Sequence, residues 1–136
     1  MKTLYIIRGA SGSGKSTIAG YLINALDNSI SISADDYFDT DSGYKFDSIK
    51  LPAAHSYSQG CVTSAMHQGY NNIIVHNTFT RQWELQPYRD LAAQYGYTVF
   101  EIICNNKFQN VHNVPADAVN KQRERFEYKS LCKSNN

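Results

Sequence analysis

A chain of 136 residues with 42% hydrophobic and 18% charged residues is long enough for one globular domain with a buried core, and its composition excludes a disordered segment. The formal net charge of +1 gives no global pull towards nucleic acid or membrane, and no apolar run approaches the length of a bilayer span. Three cysteines (Cys61, Cys104, Cys132) without a C-x-x-C spacing argue against a disulfide framework or a zinc site. Free thiols in a reducing compartment, the cytoplasm, are the expectation.

In chain order, Thr3 to Arg8 is a nearly continuous apolar run, suited to a strand buried on both faces. Lys2 and this run superficially resemble a signal peptide, but Arg8 and the glycines after it interrupt the apolar stretch too early. A helix is predicted from about Lys15 to Leu26, with Ile18, Tyr21, Leu22, Ala25 and Leu26 on one face. Ser29 to Ser33 reads as a second strand ending at Asp35-Asp36, and Asp39 to Pro52 as a polar surface loop. Ala53 to His67 reads as a helix closed by Gly69, and Asn72 to His76 as a third strand. Thr80 begins another helical stretch, which Pro87 either kinks or opens and Gly96 ends. Tyr97 to Cys104 is a fourth strand, and Asp117 to about Leu131 a last, strongly charged helix. Strict alternation of strand and helix, with no hairpin signals, predicts an α/β fold: a four-stranded parallel sheet between two helical layers, as one domain over residues 1–136.

Between the first strand and helix lies Gly9-Ala10-Ser11-Gly12-Ser13-Gly14-Lys15-Ser16-Thr17, a complete G-x-x-x-x-G-K-[ST] phosphate-binding loop. Its glycines let successive backbone N–H groups turn inward around phosphate oxygens. Lys15 reaches the β- and γ-phosphates, and the Ser16 hydroxyl is the expected Mg²⁺ ligand. A nucleoside triphosphate is the expected ligand.

In such a sheet ligands sit beyond the carboxyl ends of the strands. Those ends carry Gly9 to Ser16, Asp35-Asp36, His76-Asn77-Thr78 and Asn105 to Lys107. No N-K-x-D motif reads a guanine base, and the third strand, Ile73-Ile74-Val75-His76, lacks a terminal acidic pair of the kind an ATP-driven machine uses. A carboxylate at the end of the second strand suits a kinase, which needs a base within reach of the acceptor hydroxyl.

These residues resemble the P-loop polynucleotide 5′-hydroxyl kinases and their small single-domain relatives. The resemblance runs from the loop through Ala34-Asp35-Asp36-Tyr37-Phe38, Ala54-His55, Asn77-Thr78, Trp83-Glu84 and Pro87-Tyr88 to Asn110-Val111-His112-Asn113-Val114-Pro115 and Arg125-Phe126-Glu127. It implies ATP and Mg²⁺ as cofactors, Lys15 and Asp35 as catalytic residues with Asp35 the general base, and a lid around 107–115 including Lys107 and His112. Arg125 is the lid-side arginine that the resemblance makes catalytic. Asp36, Phe38, His76, Asn77 and Thr78 are expected on the acceptor side, with the Asp36 side chain capping the following turn. The chain departs from the family where an acceptor-gripping Arg is replaced by Phe38, a strand-end Asp by His76, and lid arginines by Gln109 and His112. The acceptor is thus expected to be a nucleic-acid 5′ end or a nucleotide-like molecule. A small-metabolite or antibiotic phosphotransferase, and a catalytically weak nucleotide-binding module, remain alternatives.

Overall fold

The computed structural model describes residues 1–40, 43–44, 48–105 and 115–128, and of 38–40, 43–44 and 48 the backbone alone. The elements are β1 (Thr3–Arg8), α1 (Lys15–Ala25), β2 (Ser29–Ile32), a 3₁₀ turn (Ala34–Phe38), β3 (Asp39–Thr40), β4 (Gly43–Tyr44), a second 3₁₀ turn (Ser48–Lys50), α2 (Leu51–Gln68), β5 (Asn72–Asn77), α3 (Gln82–Tyr95), β6 (Thr98–Ile103) and α4 (Ala116–Arg125). Four strands form one sheet in the order β2-β5-β1-β6. Every pairing in it is parallel, with Arg8 opposite Asn77 on one side and Ile103 on the other. The polar segments that follow the strands therefore leave from one edge.

Side-chain alternation along β1 divides the core. Leu4 and Ile6 pack with Ile73, Val75, Val62, Met66, Leu85 and Tyr88 beneath α2 and α3. Ile7 packs with Ile74, Ala19 and Cys104, flanked by Ile18, Leu22 and Ile23 of α1. Apolar residues on both faces are what a parallel strand roofed by helices on each side requires. The α/β architecture expected from the alternation is the one observed.

Three segments differ from the sequence reading. Residues 39–52, expected as a loop, contain the two-residue antiparallel hairpin β3–β4 and a 3₁₀ turn. α2 then begins two residues before the expected start, with Pro52 in its first turn, where the missing N–H has no helical partner to lose. Of the two roles expected of Pro87, opening a helix is not the one seen: α3 runs from Gln82 to Tyr95 with Pro87 inside, and starts two residues after the expected Thr80. Its start is set by Glu84, whose Oε1 accepts the Arg81 N–H at 2.9 Å. α4 stops at Arg125 and not near Leu131. There the chain becomes extended, and the Glu127 N–H donates to the Thr80 carbonyl at 2.6 Å. A tertiary partner has replaced the next helical one.

Candidate functional site

The loop after β1 is shaped by close approach. A Cβ on Gly9 would lie 2.3 Å from Ser13 Oγ and 2.6 Å from the Cys104 carbonyl oxygen, so only glycine fits. Gly12 and Gly14 have φ of 80° and 101°, the left-handed region in which glycine carries no Cβ penalty. The Gly9 N–H donates to the Thr78 carbonyl at 3.2 Å, which ties the loop to the end of β5. α1 starts without a side-chain cap and without an acidic residue in its first turn. Its first N–H groups and the positive end of its dipole thus favour an anion. Lys15 Nζ donates to the Ala10 carbonyl at 2.9 Å, which folds the ammonium back across the loop. Burial lowers the Lys15 pKa to about 8, with Asp35 and Cys104 opposing and Arg123 adding to the shift.

At the end of β2 the turn closes on itself. Ser33 Oγ accepts the Asp35 N–H at 3.1 Å, and Asp36 Oδ2 accepts the Ser33 N–H at 3.1 Å. The Asp36 carboxylate caps its own turn, whereas the Asp35 carboxylate is felt by both Lys15 and His76. The Asp35 charge thus acts on two other chain segments, the loop and the end of β5. His76, at the end of β5, bonds Ser31 Oγ through Nε2 at 3.1 Å. Burial, then the Lys15 charge, lowers its pKa to about 4, so the ring is neutral at physiological pH.

Asn77, grouped with the acceptor residues by its place in the sequence, faces inward and is 5% exposed. Its Oδ1 accepts the Ala34 N–H at 2.6 Å and the Ser33 hydroxyl at 3.4 Å, while Nδ2 donates to Ser58 Oγ at 3.4 Å. It holds the turn that carries Asp35. Phe38 lies in the 3₁₀ turn, its side chain outside the described residues, as Lys107 and His112 are entirely.

The C-terminal helix reaches the loop through residues that sequence reasoning missed. Gln122 Oε1 accepts the Ser11 N–H at 2.8 Å, and Arg123 is near enough for its charge to depress the Lys15 pKa. Arg125 instead donates from Nε to Thr80 Oγ1 at 3.1 Å. Nothing in the local sequence separates these three polar residues. Arg8 did carry a signal, because a cation within a buried apolar strand requires partners elsewhere in the chain. Among the described residues no cluster of three or more His, Cys, Asp or Glu could hold a metal, and no helix is long and apolar enough to cross a membrane. Cys61 and Cys104 are free thiols.

The family model of the AAA domain (AAA_33) matches residues 4–128, and the chain belongs to that family. NEDD4-binding protein 2 of Homo sapiens is 31% identical over 133 residues, which cover 91% of this chain and 8% of that protein. Two structures of the Pnkp1/Rnl/Hen1 complex, one described as an RNA repair complex, contain a similar chain at TM-scores of 0.63 and 0.61. Identity there is 23% and 22%, and the match covers 89% and 95% of this chain but 39% of the other. A gluconokinase from Sinorhizobium meliloti 1021 matches at a TM-score of 0.64 and 13% identity, over 92% of this chain and 75% of that one. The fold is that of the P-loop kinases. This chain spans a small part of the first two relatives.

Proposed function

We propose that this chain is an ATP-dependent kinase that transfers the γ-phosphoryl group to a hydroxyl on a nucleic-acid 5′ end or a nucleotide-like molecule. The observation that carries the reading is the position of Asp35 in the turn after β2, near enough to both the loop lysine and a neutral histidine for its charge to act on each. In the proposed reaction Asp35 accepts the acceptor's hydroxyl proton, and that oxygen forms a bond to the γ-phosphorus. The bond from phosphorus to the β–γ bridging oxygen breaks, leaving ADP. Lys15 stays protonated against the phosphates, and Asn77 keeps the Asp35 turn in place.

The donor set also suits magnesium. The exposed Ser16 hydroxyl lies in the first turn of α1, and no dedicated carboxylate cage accompanies it among the described residues. Mg²⁺ is commonly held in this way, by one or two protein oxygens together with phosphates and waters. When bound it would neutralise charge between the β- and γ-phosphates.

Phe38 where the resembled family has an Arg that grips an acceptor phosphate, together with a neutral His76 where it has an acid, favours acceptors that present a hydroxyl without a phosphate to be gripped. The test supplies labelled ATP with 5′-hydroxyl oligonucleotides, nucleosides, nucleoside 3′-monophosphates or gluconate. Asp35→Asn should keep ADP affinity within about twofold and lower transfer by about 10²- to 10⁴-fold. Equal transfer by Asp35→Asn and wild type would remove the general base. Gluconate as the preferred acceptor would move the chain to the small-metabolite reading.

A further inference from the structure

Arg8 is the last residue of β1, directly before the loop, and its side chain is fully buried. Burial lowers its pKa, with Glu101 opposing. Its Nε and Nη2 donate to the Phe79 carbonyl at 3.1 and 2.8 Å, and Nη1 pairs with Glu101 Oε1 at 3.1 Å. Phe79 holds a φ of 47°, rare for a bulky residue, in the turn that presents this carbonyl. Arg89 holds the other Glu101 oxygen at 3.2 Å. The remaining contacts go to the C-terminal strap: Nη2 donates to the Glu127 carbonyl, and the guanidinium lies over the Phe126 ring at 4.4 Å. Glu127 is held from two further directions. Its carboxylate accepts the Gln82 N–H at 2.8 Å and pairs with Arg81 at 3.3 Å, while its own N–H meets the Thr80 carbonyl.

We propose that Arg8 and Glu127 form a clamp that seats α4 over the phosphate loop, and are positioning residues for the third phosphate of the nucleotide. The inference rests on the kinase reading. α4 touches the loop through Gln122 on the Ser11 N–H and brings Arg123 towards Lys15, and the chain is tied down again two residues beyond the helix end. Arg8 and Ser11 lie three residues apart, so the clamp and the loop contact share one short stretch of backbone. A shift of β1 or of the strap then changes the height of α4 above the loop. Loop amides and Lys15 serve all nucleotides, whereas charge developing on the γ-oxygens gains from cations delivered from outside the loop. Loosening the clamp should therefore act on the triphosphate and on turnover, and leave the diphosphate alone.

The experiment measures affinity for ADP and for a non-hydrolysable ATP analogue by calorimetry, together with kcat and KM, in wild type and two variants. Arg8→Lys keeps the buried charge but loses the planar fork. Glu127→Ala leaves Arg8 untouched and frees the strap from Gln82 and Arg81, so it serves if Arg8→Lys does not fold. Expected in each folded variant are an ADP Kd within about twofold of wild type, triphosphate affinity weakened by about tenfold and kcat lowered by at least about tenfold. Acceptor KM should stay unchanged. Equal losses of ADP and triphosphate affinity would make the clamp a general support of the loop and overturn the proposal. So would wild-type values in Glu127→Ala. A wild type that binds both nucleotides but phosphorylates no acceptor would sink the kinase reading alone, because the ratio of the two affinities still reports on the clamp.

Discussion

Asn77→Ala separates a residue that touches the acceptor from one that positions Asp35, the proposed base. Truncation removes the Oδ1 that accepts the Ala34 N–H at 2.6 Å, and Ala34 is only 5% exposed. A buried N–H left without a partner costs about 1–3 kcal/mol. The two 3.4 Å contacts to Ser33 and Ser58 add little, since Ser58 keeps the Tyr88 hydroxyl at 2.9 Å. A total near 2 kcal/mol should lower the melting temperature of a domain of this size by about 8 °C. The freed turn carries Asp35, and misplacing a reacting group by about 1 Å can cost on the order of 10²-fold in rate. Calorimetric or circular-dichroism melting gives the first number, and transfer from labelled ATP at saturating acceptor gives the second. ADP affinity, set by the loop, should stay within about twofold. An unchanged melting temperature and kcat with only a raised acceptor KM would refute the reasoning and make Asn77 a direct acceptor contact.

Gly9→Ala would drive a Cβ to 2.6 Å from the Cys104 carbonyl, an atom that cannot rotate away. It should destabilise the fold by about 1–3 kcal/mol and weaken ADP binding together, read by denaturant midpoint and by titration. Nucleotide affinity should fall as pH rises above about 8, where free Lys15 loses its proton, and binding near that pH should take up a fraction of a proton, measurable by calorimetry in two buffers. The same depressed pKa has the opposite sign for the nucleotide-free fold. Its cost is fully present below about pH 8 and is relieved towards the unfolded value of 10.5, so this group's contribution to stability rises across that window. His76, at about 4 against 6.5, adds a cost only as pH falls from 6.5 towards 4.

The sequence by itself determined the alternation of elements, the parallel sheet and the loop, because each rests on a local rule. Runs such as Leu4-Tyr5-Ile6-Ile7 and Ile73-Ile74-Val75 are short, rich in β-branched residues and bounded by turn residues, which suits strands buried on both faces, and the spacing of Gly9, Gly14 and Lys15 is that of a phosphate-binding loop. That Asp36 caps a turn was legible, but the sequence reading placed the cap on the following turn, whereas its carboxylate accepts the N–H of Ser33, three residues before it. The rest was decided by the tertiary structure. In sequence Asn77 looks like any polar residue after a strand. Its role comes from Ala34, 43 residues away. Which polar residue of α4 meets the loop depends on where the helix is seated, and that follows from contacts spanning 111 and 119 residues, to Ser11 and Arg8. The early end of α4, the neutral ring of His76 and the depressed pKa of Lys15 are likewise consequences of burial and of charges brought together by folding. Local chemistry fixes backbone conformation, but desolvation and long-range pairing exist only once the chain has closed on itself.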